Sequence, residues 1–210
     1  MREAILATCR AMNASGLNQG TSGNVSTRDG DGMLITPSGV PYDDTAPEMI
    51  VPVAAGGTVS GKWKPSSEWR MHLDIYRARP EAGAVVHVHS PHATALSCHR
   101  RGIGAFHYMV AVAGGTDIRC AEYATFGTQA LSDAMLAALE GRTACLLANH
   151  GQIAFGPTLA KALWLAEEVE TLARQYLLAR TIGEPTMLGD AEMAEVLDAF
   201  RDYGRQDAAD

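Results

Sequence analysis

The chain has no run of lysine or arginine, no Cys-x-x-Cys pair, and no apolar stretch of the roughly 18 residues that cross a membrane. Its formal net charge is −7, which excludes nucleic acid as a main partner. The four cysteines are widely spaced, as is typical of buried thiols in a reducing compartment. Residues 1–17 lack the apolar core of a signal peptide. These absences predict a cytoplasmic protein that binds neither nucleic acid nor a membrane.

Length and composition are those of an ordinary globular domain. The 210 residues are 47% hydrophobic and 20% charged, which suffices for one core, and no segment has the composition of a linker. Residues 84–89 and 144–148 have the length of buried strands, whereas residues 159–181 carry an apolar stripe at helical spacing. We therefore expect one α/β domain over residues 1–210, with a sheet covered by helices and a frayed tail from about residue 204.

The histidines of this chain include a pair with metal-ligand spacing. His87 and His89 lie two residues apart at the end of the valine-rich segment AVVHVHS, so a strand would place both imidazoles on one face. Such a pair is half of a transition-metal site; the alternative is two histidines packed on a solvated face. His150 follows a second apolar strand, in ACLLANHG, and is the natural third ligand if the two strands are neighbours. Three histidines leave one coordination position open, as in catalytic zinc sites.

The segment Pro65-Ser66-Ser67-Glu68-Trp69 has the pattern of a helix start. Ser66 or Ser67 suits the N-cap position, and Glu68 falls in the first turn. Amides and hydroxyls at a helix N-terminus also bind phosphate, and Glu68 could then act as a fourth zinc ligand or as a base. Good helix capping alone is the alternative.

Two glycine-rich stretches offer further groups for phosphate binding. Gly20-Thr21-Ser22-Gly23-Asn24 and Thr36-Pro37-Ser38-Gly39 both present backbone amides and hydroxyls. Neither matches the P-loop or the dinucleotide-binding fingerprint. Taken alone, each stretch is consistent with a simple turn as well as with a phosphate-binding loop.

Eight segments, taken in order, resemble the zinc-dependent class II sugar-phosphate aldolases, and the likeness is strongest to the L-fuculose-phosphate aldolases. The segments are GLNQGTSGNVSTR, LITPSGVPY, KPSSEWRMHLDIY, AVVHVHSPHATALS, HYMVAVAGG, ATFGT, LLANHG and KALWLAEEVE. The resemblance covers nearly the whole chain, from about Thr8 to Tyr203. It implies a three-layer α/β/α subunit around a mostly antiparallel sheet, in a cyclic homotetramer whose active sites lie between subunits.

The same resemblance implies roles for individual residues. The ligands of one zinc ion per subunit correspond to His87, His89, His150 and Glu68, and Glu68 is also the acid/base carboxylate. The phosphate pocket corresponds to Asn24, Thr36, Ser38, Gly39, Ser66 and Ser67. Tyr108 corresponds to a tyrosine that reaches in from a neighbouring subunit, Tyr203 to a second catalytic tyrosine, and Phe126 to a wall at the aldehyde end. Asn149 is a departure, since histidine is frequent at that position.

The implied reaction is retro-aldol cleavage of a ketose 1-phosphate, L-fuculose 1-phosphate or a close analogue, to dihydroxyacetone phosphate and a short aldehyde. The alternative within this chemistry is cleavage of 5-deoxyribulose 1-phosphate or 5-methylthioribulose 1-phosphate in salvage. A 4-epimerase on the same scaffold carries aspartate where this chain has Glu68, and a related dehydratase lacks the match around ATFGT and HYM. An adducin-like interaction domain lacks the three histidines, so we expect an enzyme, a lyase.

Overall fold

The computed structural model describes residues 1–202, and a seven-stranded sheet forms their centre. The strands are β1 (Asn24–Asp29), β2 (Gly32–Ile35), β3 (Val51–Val53), β4 (Ala84–Val88), β5 (Cys120–Ala121), β6 (Ala144–Leu147) and β7 (Gly151–Gly156). Their order across the sheet is β3-β2-β1-β4-β7-β6-β5. Neighbouring strands are antiparallel except for β5 and β6, so the expected mostly antiparallel sheet is confirmed.

Helices cover both faces of the sheet. They are α1 (Arg2–Ala14), α2 (Trp69–Ala78), α3 (Pro91–Cys98), α4 (Gln129–Ala138), α5 (Leu159–Ile182) and α6 (Asp190–Asp202). Helices α1, α3 and α5 pack on one face and α2 and α4 on the other, which is the expected three-layer α/β/α arrangement. Within residues 1–202, no helix is both long and apolar enough to cross a membrane.

Alternation along the strands divides the buried side chains into two hydrophobic cores. In β4, Val86 and Val88 belong to the core shared with α1, α3 and α5, whereas Val85 belongs to the core shared with α2 and α4. All of β4 is buried because it lies between the two helical layers. His87 is on the same face of β4 as Val85 and therefore points towards α2. The sheet thus brings a histidine to the helix that carries Glu68 at its start.

Two local features differ from the sequence-based expectation. Asn24, the last residue of the first glycine-rich stretch, is the first residue of β1, because pairing with β4 outweighs the low strand propensity of asparagine. Neither Ser66 nor Ser67 caps α2: the helix begins at Trp69, with Glu68 at the N-cap position and no capping side chain. Ser66 Oγ instead accepts a hydrogen bond from the Glu68 amide at 3.3 Å, which fixes the backbone just before the helix.

Candidate active site

Three histidines meet where β4 ends and β7 begins. These strands are antiparallel neighbours, so the residue that follows β4, His89, lies beside the residue that precedes β7, His150. The strand that precedes His150 in sequence, β6, is not itself a neighbour of β4, because β7 lies between them. The turn at residues 148–150 returns the chain to β4 and thereby adds His150 to the pair formed by His87 and His89.

Gly151 allows β7 to start this close to β4. A Cβ atom at Gly151 would come within 2.5 Å of the Val88 carbonyl oxygen, a distance at which the two strands would have to separate. The left-handed backbone conformation of the turn belongs to Asn149, whose φ is 53°. Gly151 is therefore required by close packing, while Asn149 supplies the left-handed residue of the tight turn.

Glu68 completes the cluster from the N-terminal end of α2. Its Oε2 atom lies 3.1 Å from His87 Nε2, and its Oε1 atom lies 3.0 Å from His150 Nε2. The Nε2 atoms of His87 and His89 are 3.2 Å apart. Ligand atoms of all four residues lie within 4.8 Å of one another. Side chains far apart in sequence therefore converge on one point.

Hydrogen bonds outside the cluster orient its members. His87 is fully buried, and its Nδ1 atom is 2.8 Å from the Gln152 carbonyl oxygen, which can only accept. The proton of a neutral His87 is therefore on Nδ1, and the lone pair of Nε2 faces the cluster. Asn24 Nδ2 donates to Glu68 Oε2 at 3.0 Å, which fixes the plane of the carboxylate.

The charges of the cluster are strongly coupled. Burial by itself raises the pKa of the Glu68 carboxyl, but His87 and His150 beside it hold that pKa well below its ordinary value. Burial disfavours a charged His87, yet the adjacent Glu68 carboxylate raises the pKa of His87. Burial, together with His87 and His150, lowers the pKa of His89 to about 4, so His89 is neutral at physiological pH. An ionised carboxylate among imidazoles attracts positive charge to this point.

The donor set fits a divalent metal ion. Glu68 Oε1 is buried and makes no hydrogen bond within the described residues, although His150 Nε2 lies 3.0 Å away. Imidazole nitrogens and a carboxylate oxygen are the ligands that zinc and similar metals take in proteins. Glu68, His87, His89 and His150 could therefore hold one metal ion.

A cavity of about 320 Å³ opens above this cluster. Its lining includes most of the predicted site residues, namely Asn24, Ser38, Gly39, Ser66, Ser67, Glu68, His89, Phe126 and His150. Thr36 does not line it: the Thr36 hydroxyl accepts from the Val25 amide, and its carbonyl oxygen accepts from the Ser66 amide. Within residues 1–202, no lysine or arginine lines the cavity, so hydroxyls and backbone amides dominate the end near Ser38 and Ser66.

The remaining predicted residues lie at or beyond the edge of this cavity. Phe126 is 66% exposed at its rim, and Tyr123, which sequence analysis did not single out, lies beside it. Tyr108 lies elsewhere, in a second cavity of about 670 Å³ between α5, α6 and the 3-10 helix Tyr108–Ala113. A single chain therefore does not bring Tyr108 to the histidine cluster. Tyr203 lies outside the described residues.

Behind the cluster, hydrogen bonds link Asn24 to three buried polar residues that were not predicted from the sequence, namely Ser26, His72 and Tyr76. His72 Nε2 lies 2.6 Å from Asn24 Oδ1, and His72 Nδ1 lies 2.7 Å from Ser26 Oγ, which in turn lies 2.8 Å from the Tyr76 hydroxyl. His72 is four residues after Glu68, which places it one helical turn on and on the same face. The four-residue interval between Glu68 and His72 could therefore have indicated from the sequence that His72 lies near the site.

Comparison with known proteins agrees with this geometry. The class II aldolase and adducin N-terminal domain family matches residues 3–177. The chain is 54% identical over 204 residues to the 5-methylthioribulose-1-phosphate/5-deoxyribulose-1-phosphate aldolase of Rhodospirillum rubrum, a match covering 97% of this chain and 92% of the relative. It is 52% identical over 201 residues to the L-fuculose phosphate aldolase of Escherichia coli, covering 95% and 94%. A solved L-fuculose 1-phosphate aldolase superposes with a TM-score of 0.92 at 41% identity, covering 95% of each chain.

The chain belongs to the class II aldolase and adducin N-terminal domain family. Because these relatives are aldolases of nearly the same length, it is a class II aldolase, and hence a lyase. Class II aldolases are metal-dependent, and the cluster of Glu68 and three histidines is a site that could bind the metal.

Proposed function

We propose that this protein cleaves a ketose 1-phosphate to dihydroxyacetone phosphate and a short aldehyde, using one zinc ion per subunit. The observation that carries the proposal is the convergence of Glu68, His87, His89 and His150 at the base of a hydroxyl-lined cavity. A family domain without the metal-binding cluster would serve as an interaction module. Retention of all four residues in one site supports an enzyme instead.

Zinc is the metal we propose for the cluster. Three histidines and one carboxylate are a common ligand set for it, and the carboxylate can be displaced to open a position for substrate. When bound, the metal would act as a Lewis acid that polarises the substrate carbonyl and stabilises developing negative charge on oxygen. The hydrogen bond from His87 Nδ1 to the Gln152 carbonyl oxygen supports ligation, since it leaves the Nε2 lone pair of His87 facing the cluster.

The phosphate group would occupy the end of the cavity near β1 and α2. Side chains of Asn24, Ser38, Ser66 and Ser67 line that end together with Gly39, and the N-terminus of α2 adds a partial positive charge. Thr36 would contribute indirectly, because its carbonyl oxygen holds the Ser66 amide and so fixes the loop before α2. Binding energy from the phosphate would serve to orient the reacting carbons over the cluster.

Two of the chain's own groups would move protons. Breaking the bond between C3 and C4 requires removal of the C4 hydroxyl proton and leaves a carbanion equivalent at C3. The proton released from the C4 hydroxyl balances the one gained at C3: Glu68, ionised at rest at the base of the cavity, would take up that proton and deliver it to C3, which yields dihydroxyacetone phosphate. Tyr108 would assist at the C4 hydroxyl.

Tyr108 can take that role only from another subunit. It is half exposed and lines a separate cavity of its own chain, which supports an active site shared between subunits. The assembly we propose is a cyclic homotetramer. Tyr203 is proposed as a second tyrosine at the same site. The four free cysteines support a reducing, cytoplasmic location.

The aldehyde end of the cavity determines the substrate. Phe126 and Tyr123 present exposed aromatic surface at the rim, which suits a short apolar or methyl-terminated fragment. L-Fuculose 1-phosphate is the proposed substrate, and 5-deoxyribulose 1-phosphate or 5-methylthioribulose 1-phosphate is the second candidate, which the Rhodospirillum relative favours. One methylene against an apolar wall changes kcat/KM by only about 10- to 200-fold, so overlapping specificity is expected.

The experiment is to measure dihydroxyacetone phosphate release from these three substrates, before and after chelation and after zinc is restored. Chelator-sensitive release that zinc restores supports the proposal, and the ratio of kcat/KM values identifies the preferred substrate. Failure to cleave any of them by zinc-loaded protein would overturn it.

A further inference from the structure

Behind the metal cluster, a chain of buried polar groups connects β1 and α2. We call it the buried hydrogen-bond chain: Tyr76, Ser26, His72 and Asn24, leading to Glu68. Its links are 2.8 Å from the Tyr76 hydroxyl to Ser26 Oγ, 2.7 Å to His72 Nδ1, 2.6 Å from Nε2 to Asn24 Oδ1, and 3.0 Å from Asn24 Nδ2 to Glu68 Oε2. The exposed fraction is 0% for Ser26 and His72, 2% for Tyr76 and 3% for Asn24. Solvent water therefore cannot replace either partner in any of these hydrogen bonds.

The Glu68 carboxylate at one end determines which atom donates and which accepts in each link of the buried hydrogen-bond chain. An ionised Glu68 carboxylate only accepts, so Asn24 must present its NH₂ group there and its oxygen to His72. His72 Nε2 must then carry a proton, because it faces that oxygen at 2.6 Å. In a neutral imidazole Nδ1 is then an acceptor, so the Ser26 hydroxyl donates to it and accepts from Tyr76 in turn. Complete burial lowers the pKa of His72 to about 3, which keeps it neutral.

We propose that His72 is a positioning residue for the aldolase reaction: through Asn24 it fixes the orientation of the Glu68 carboxylate and of the Asn24 amide in the phosphate cavity. The other hydrogen of the Asn24 NH₂ group is then left for the cavity, which Asn24 lines. Without a hydrogen-bond donor at residue 72, nothing holds the Asn24 amide oxygen towards that residue, and the amide can rotate. A rotated amide would bring its oxygen against the Glu68 carboxylate and repel it.

This inference rests on the proposed function for its catalytic consequence but not for its geometry. The competing explanation is that the chain only ties β1 to α2 and stabilises the fold. The two explanations differ in what a conservative replacement restores. Glutamine carries its amide nitrogen as many bonds from Cβ as Nε2 of histidine, so His72→Gln keeps a donor towards Asn24, whereas His72→Leu keeps similar bulk without one.

The kinetic test compares these two variants with Ile75→Val, which loosens the buried face of α2 without altering the buried hydrogen-bond chain. With saturating zinc, we expect His72→Leu to lower kcat by about 10- to 100-fold, and His72→Gln to recover most of that loss. Ile75→Val is expected to lower Tm while kcat stays unchanged. Equal kcat in His72→Leu and His72→Gln, or losses of kcat that follow Tm in all three variants, would overturn the positioning role.

A second readout does not depend on turnover. ¹⁵N NMR of histidine-labelled, metal-free protein at neutral pH should show His72 with Nε2 protonated and Nδ1 bare, with the resonance assigned by its absence in His72→Gln. The opposite tautomer, or a charged imidazole, would reverse the chain and overturn the inference. If the proposed substrates fail while this tautomer is found, the proposed function has failed and the orientation of the buried hydrogen-bond chain stands.

Discussion

Replacement of Glu68 by glutamine separates the two roles proposed for this side chain. Glutamine has almost the same shape, and its amide oxygen can still accept from Asn24 Nδ2, as the carboxylate does at 3.0 Å. The variant therefore keeps this hydrogen bond and the imidazoles of His87, His89 and His150, which by themselves form a common zinc-binding set. What Glu68→Gln loses is the negative charge and the ability to transfer a proton.

The expected magnitude follows from that loss. General acid or base catalysis by one positioned group contributes about 10²- to 10⁴-fold, which corresponds to about 3 to 5 kcal/mol of activation free energy. We expect kcat of Glu68→Gln to fall by this factor while KM changes little, because the phosphate-binding groups are untouched. Zinc content should stay close to one ion per chain at saturating zinc.

The assay is the rate of dihydroxyacetone phosphate release at saturating zinc, with the metal content of the same samples measured by elemental analysis. Glu140→Gln, which removes an exposed carboxylate in the turn after α4, is the matched control for the charge change and should match the parent protein. A Glu68→Gln protein with full zinc and near-normal kcat would refute the assignment of Glu68 as the proton donor.

The remaining predictions concern the metal, the subunit boundary and the strand contact. His87→Ala should lose most of its bound metal, and unchanged metal content by elemental analysis would remove His87 from the ligands. Tyr108→Phe should lower kcat with metal retained; oligomers mixed with Glu68→Gln chains should regain activity, and no regain would argue against a site shared between subunits. Gly151→Ala should weaken metal binding because its Cβ meets a β4 carbonyl oxygen at 2.5 Å, whereas Gly56→Ala, which meets nothing within 4 Å, should not. Equal metal affinities in these two variants would contradict that reasoning.

Much of the site was predictable because its signals are local. The spacing of His87 and His89 in a valine-rich segment requires only the alternation of a strand, and their Nε2 atoms indeed lie 3.2 Å apart. Glu68 was predictable from its place at a helix start, and it lies between His87 and His150. The α/β class was predictable from the alternation of short apolar strands with amphipathic helices.

Other features depend on pairing that local patterns do not contain. Strand β1 contains Asn24 and Ser26, whose polar side chains interrupt the apolar alternation by which a buried strand is recognised. These two side chains are buried because Glu68 and His72 supply their hydrogen-bond partners. The return of His150 to β4 through β7 depends on sheet order. Thr36 matches a phosphate-pocket position by resemblance, yet its hydroxyl is bound to the Val25 amide, a contact that only the β1 and β2 pairing creates.

If the four-residue cluster is a metal centre, aldol cleavage should depend on the metal that it holds. The most direct test is to restore zinc stepwise to chelated protein while measuring dihydroxyacetone phosphate release from the preferred substrate. We predict no release without metal, and a rate that rises in proportion to bound zinc and saturates at one equivalent per chain. Release that persists in metal-free protein, or that is independent of zinc occupancy, would contradict a metal-dependent cleavage at this cluster.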